Sequence, residues 1–142
     1  MNTPVSFPIA KLLKEKGFDE LCKLCVEDGD ERPLPFNCGN TIHRNSLHPY
    51  YSAPTIAEVV MWLYEKHGTW IAVNRVVIGS DEWDYGYIIS YLPKEYEFEK
   101  RRSKHLVEIQ SFKEGVGSYH GAWYTPTEAY EAAIEYTLKN LI

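Results

Sequence analysis

"TWIAVNRVVIGSDEWDYGYIISYL", residues 69–92, carries the main evidence for the fold class. Its two arms, "TWIAVNRVVI" (69–78) and "YGYIISYL" (85–92), are rich in β-branched and aromatic side chains, which fit a pleated, half-buried surface. The joining segment "GSDEWD" is acidic and turn-like, and Trp83 within it reads as part of the turn. A short link between two such arms specifies an antiparallel pair. Downstream, "HLVEIQSF" (105–112) alternates apolar and polar residues and supplies a third strand beyond the charged segment "PKEYEFEKRRSK". Upstream, "LCKLCVED" and "LPFNC" form an extra hairpin over "GDERP".

Three helices flank these strands. In "SFPIAKLLKEKG", Ser6 stands at the cap position, Pro8 sits in the first turn and Gly17 ends the helix, predicting residues 7–16. Val5, Ile9, Leu12 and Leu13 make its apolar stripe. In "SAPTIAEVVMWLYEKHG", Ser52 is expected to cap a helix over 53–67, with Ile56, Val59, Val60 and Leu63 at helical spacing. In "TPTEAYEAAIEYTLKNLI", Thr125 and Glu128 form a T-x-x-E capping box with Pro126 at the first helical position, predicting 126–140. Pro54-Thr55-Ile56-Ala57 can be aligned with Pro126-Thr127-Glu128-Ala129, a convergence of helix-start signals. The resulting order predicts a single α+β domain over residues 1–142, an antiparallel sheet of three to five strands with three helices packed mainly on one face.

Composition narrows the function classes. The chain has 142 residues, a net charge of −5 and 14% aromatic residues, including 11 Tyr and 4 Trp. A net negative charge disfavours general nucleic-acid binding, which relies on neutralising phosphates. No apolar run reaches the roughly 20 residues of a membrane helix. The N-terminal stretch has no basic start followed by an apolar block, and three cysteines is an odd number for internal disulfides. The expected setting is a reducing cytoplasm.

The segment 21–51 holds Cys22, Cys25 and Cys38 together with His43 and His48. Cys22, Cys25, Cys38 and His43 approximate a zinc-ligand spacing. Against this, Leu24 and Val26 give strand alternation in place of a glycine-bearing knuckle, and free Cys is an ordinary buried small hydrophobe. A Cys38–His43 nucleophile pair has no oxyanion-hole signature beside it. The expectation is no metal and no cofactor.

"VSFPIAKLLKEKGFDE", "YSAPTIAEVVMWLYEKHG" and "TPTEAYEAAIEYTLKNLI" resemble a group of small accessory proteins of phages and mobile elements of gut bacteria. The resemblance covers about half the chain and brings no established activity. It implies a variable stretch before "YSAPT" with no fixed cysteine–histidine set, which further weakens the zinc reading.

No phosphate loop, dinucleotide fingerprint, nucleophile elbow or H-E-x-x-H motif occurs. The chain therefore reads as a non-enzymatic protein whose aromatics and local charge serve binding. Tyr85, Tyr87 and Tyr91 alternate along one strand, so the outer sheet face carries either these rings or their opposite set; an exposed aromatic face there is expected to be an interface for a protein partner that is bound and blocked, and for a homo-oligomer, a dimer above all. The alternative ligand is a phosphorylated nucleotide signal. Arg101, Arg102 and Lys104 would hold its anion, and Tyr119 or Trp123 in the glycine-bounded "GVGSYHGAWY" would stack on its base. Those two loops are expected ~25 Å apart along strand 105–112, so a joint site requires two subunits. A small zinc-binding domain is the second alternative.

Overall fold

A computed structural model describes residues 2–28, 30, 34–35, 50–77, 83–93, 106–110 and 123–142. The elements are α1 (Phe7–Glu15), β1 (Leu24–Glu27), β2 (Leu34–Pro35), β3 (Tyr50–Ser52), α2 (Ile56–His67), β4 (Thr69–Val77), β5 (Trp83–Tyr91), β6 (Val107–Gln110) and α3 (Pro126–Asn140). The class is α+β, with all strand pairs antiparallel. The strands form two sheets, β2-β1-β3 and β4-β5-β6, each of three strands. The chain divides into two compact units: Met1–Trp62 with Ile134–Ile142, and Leu63–Ala133. The boundary falls within α2 and within α3.

In the first unit, α1 ends in a Schellman motif. Gly17 takes φ +78°, its N–H donates to Lys14 O at 3.2 Å, and Phe18 N–H donates to Leu13 O at 2.9 Å. The motif turns Phe18 inward, where it meets Trp62 edge-on at 5.3 Å. Ser6 occupies the cap position without a side-chain cap bond. The hairpin of β1 and β2 lies where its sequence predicts, with Leu24 paired to Pro35 and Cys25 to Leu34. β3 covers the other edge of β1, pairing Ser52 with Cys25 and Tyr51 with Val26. α1 packs on β3: Phe7 meets Tyr51 edge-on at 5.4 Å, and Lys14 Nζ lies 4.6 Å from the Tyr51 ring centre while donating to Tyr50 O at 2.9 Å.

β3 corrects the start of the second helix. Ser52 is a buried strand residue and not a cap. The helix begins at Ile56, capped by Thr55: Glu58 N–H donates to Thr55 Oγ1 at 3.3 Å, and Thr55 N–H donates back to Glu58 Oε2 at 2.6 Å. α3 repeats the device with Thr125 and Glu128, at 3.2 and 3.1 Å. The equivalent positions of the two helix starts are therefore Thr55 and Thr125, and not Pro54 and Pro126.

In the second unit, α2 ends at Gly68: its N–H still donates to Tyr64 O at 3.0 Å, and its φ of +61° turns the following chain out of the helix. The chain then enters β4. Nine consecutive residue pairs join β4 to β5, from Thr69↔Tyr91 to Val77↔Trp83, with no bulge. Among the described residues β6 pairs with residues 88–91 of β5; positions 105, 111 and 112 of the predicted third strand lie outside the described residues. Residues directly opposite share a face. Thr69, Ile71, Tyr87 and Ile89 are buried together on one face, while Trp70 and Asn74 on the other are exposed.

Candidate functional site

The far end of the β4–β5 hairpin gathers the aromatic side chains. Trp83, Tyr85 and Tyr87 alternate along β5 and so stand on one face, with Arg75 and Val77 opposite them on β4. Trp123 continues this array. Its N–H donates to Tyr85 O at 3.0 Å and its carbonyl accepts from Tyr85 N–H at 2.8 Å, a two-bond bridge that sets it beside β5. Its ring lies 5.1 Å from that of Tyr87 at 31°. The Arg75 guanidinium lies 4.7 Å from the centre of the Trp83 ring.

Exposure separates scaffold from contact surface. Tyr87 is only 8% exposed. Trp83 is 50% exposed, Val77 69% and Tyr124 86%. Toward its distal end the hairpin thus offers a half-wet Trp, held flat by an arginine, next in space to a cluster anchored by Tyr87 and Trp123. Tyr and Trp bury large area at low entropy cost, and Arg stacked on a ring keeps its donor edge free for an acceptor.

This arrangement changes the expected interface. Tyr85, Tyr87 and Tyr91 do share a face, but it is the one that also holds buried Ile71 and Ile89, and Tyr87 is enclosed. They do not form one exposed patch. Tyr91 lies ~20 Å from Tyr85 along the strand, opposite Thr69 and Val107. Among the nucleotide-site candidates, Trp123 meets Tyr85 and Tyr87, while Arg101, Arg102, Lys104 and Tyr119 lie outside the described residues. Arg75 and Trp83 are additions. The signal for Trp83 was present in the period-two series Trp83, Tyr85, Tyr87, Ile89, Tyr91, which extends the strand two residues earlier than the turn reading allowed. Nothing in the sequence singles out Arg75.

Of the zinc candidates, Cys22 and Cys25 are buried and form no disulfide, while Cys38 and His43 lie outside the described residues. Burial, reinforced by the negative charge of Glu58, pushes the Cys22 thiol up from 9.0 to about 12. A thiol so placed holds its proton well above neutral pH and is a poor nucleophile there. No group of three potential metal ligands occurs among the described residues. Among those residues, too, no helix is long and apolar enough to cross a membrane.

The chain matches no family model, no curated protein and no solved structure.

Proposed function

We propose that the protein is a non-enzymatic accessory protein that binds and blocks a protein partner through the distal end of the β4–β5 hairpin. The observation that carries this reading is the pairing of Arg75 with a half-exposed Trp83 on a bulge-free ribbon. Trp, Tyr and Arg are the residue types that dominate protein-interface energetics, and a platform fixed by its own scaffold loses little entropy on binding. Tyr124 supplies a further exposed ring in the same unit. A phage or mobile element acting in the cytoplasm of a bacterial host, the setting implied by the sequence resemblance, belongs to the same proposal.

The experiment replaces Tyr124 with a photo-crosslinking amino acid in the full chain, expressed in a bacterial host. A single crosslinked protein should be recovered, and its purified form should bind the wild type and lose affinity for Trp83→Ala. Crosslinks confined to this chain itself would contradict the proposal. A nucleotide panel is run in parallel by thermal denaturation. A phosphorylated nucleotide that raises Tm, with no protein captured, would favour the small-ligand alternative.

A further inference from the structure

We infer that the outer edge of β4 is a self-pairing surface, along which a second copy of this chain adds its own β4 in antiparallel orientation. This does not rest on the partner-binding reading: it uses the main-chain edge of β4, although Arg75 and Val77 border both surfaces.

Among the described residues β4 is an edge strand. Only β5 pairs with it there, so the N–H and C=O groups that point away from β5 face outward along nine residues, ~30 Å of strand. Natural proteins blunt such edges with proline, lysine, bulges or short strands. β4 has none of these: its sequence TWIAVNRVV contains no proline and no lysine, its register with β5 is unbroken, and Arg75 is its single charge. The chemistry that satisfies the edge is another extended backbone.

The side chains identify that backbone as a second β4. A two-fold axis through Val73 sets Trp70 opposite Val76, Ala72 opposite Asn74, Ile71 opposite Arg75 and Thr69 opposite Val77 of the second copy. Trp70, 46% exposed, and Val77, 69% exposed, each gain a cross-strand neighbour. An aromatic facing a β-branched residue is a favourable cross-strand pair. The two arginines lie four positions apart and do not oppose each other. The product is a continuous six-stranded antiparallel sheet with closed two-fold symmetry.

The test uses two charged variants of the full chain. Ala72→Glu with Asn74→Glu places like charges directly opposite in the proposed register, and Ala72→Lys with Asn74→Lys does the same with the other sign. Positions 72 and 74 are not buried, and far-UV circular dichroism confirms that each variant is folded. Light scattering across roughly 1–200 μM should show a wild-type dimer, with each variant dissociating about tenfold more readily or worse. Mixing the two variants should restore a dimer, because each introduced glutamate then faces an introduced lysine. A wild type that stays monomeric at the top concentration overturns the inference. So does a variant that dimerises as the wild type does, or a mixture that fails to recover.

Discussion

Trp123→Ala separates the scaffold of the aromatic cluster from its contact surface. Truncation leaves the main-chain bridge to Tyr85 in place, since its bonds of 2.8 and 3.0 Å involve no side chain. It removes the ring that lies 5.1 Å from Tyr87 and leaves that tyrosine uncovered on one side. Trp123 is half-buried. Losing ~80 Å² of burial at ~25 cal/mol per Å² costs about 2 kcal/mol, and the lost aromatic pair adds about 1 kcal/mol. The sum of about 3 kcal/mol sits at the lower end for truncating a tryptophan in a core. Trp83→Ala is the contrast. Its ring is half in water and its arginine contact is exposed, so the loss should stay under about 1 kcal/mol. Urea unfolding followed by far-UV circular dichroism resolves the two, because an m-value of about 2 kcal/mol/M converts them to midpoint shifts of about 1.5 M and under about 0.5 M. Trp123→Phe should recover most of the loss. A Trp123→Ala midpoint within about 0.5 M of wild type, or a Trp83→Ala loss as large as that of Trp123→Ala, would refute the division of roles.

Three further outcomes follow from local geometry. Thr55→Ala should cost about 1 kcal/mol by removing the α2 cap, and Thr55→Ser should retain most of it; urea midpoints of the two variants check this. Gly68→Ala meets no atom within 4 Å but must hold φ at +61°, so thermal melts should show a loss of about 1 kcal/mol from backbone strain alone. Cys22 holds its proton more tightly when folded, so the native state carries more protons between pH 9.0 and about 12. Its contribution to stability is full below pH 9.0 and falls as pH rises through that window, and Cys22→Ala should flatten the fall in denaturation midpoints.

The helices were legible because each carries its own punctuation. Gly17 and Gly68 end two of them at positive φ, and Thr125 with Glu128 opens the third. The same T-x-x-E box at Thr55 and Glu58 was outweighed by a serine three residues earlier, which the short strand β3 uses for pairing with Cys25. Three-residue strands such as β3 are too short for alternation to register, and their pairing is set by long-range partners. Division of the strands into two sheets is likewise invisible locally, since period-two patterning does not name a strand's neighbours. For β5, alternation separated the tyrosine set from Gly86, Ile88 and Ser90, but both sets contain apolar groups. Which face is enclosed depends on what packs there, and Trp123 on Tyr87 is one such contact between residues 36 positions apart in sequence. Arg75 gained its role only through the register that brings it near Trp83.

The most direct test of the binding account is an equilibrium titration of the crosslink-identified protein against the wild-type chain, Trp83→Ala and Arg75→Ala, each first shown to unfold near the wild-type midpoint. The account predicts that Trp83→Ala weakens binding by about tenfold or more and that Arg75→Ala weakens it in the same direction. Equal affinity of all three chains for that protein would contradict it.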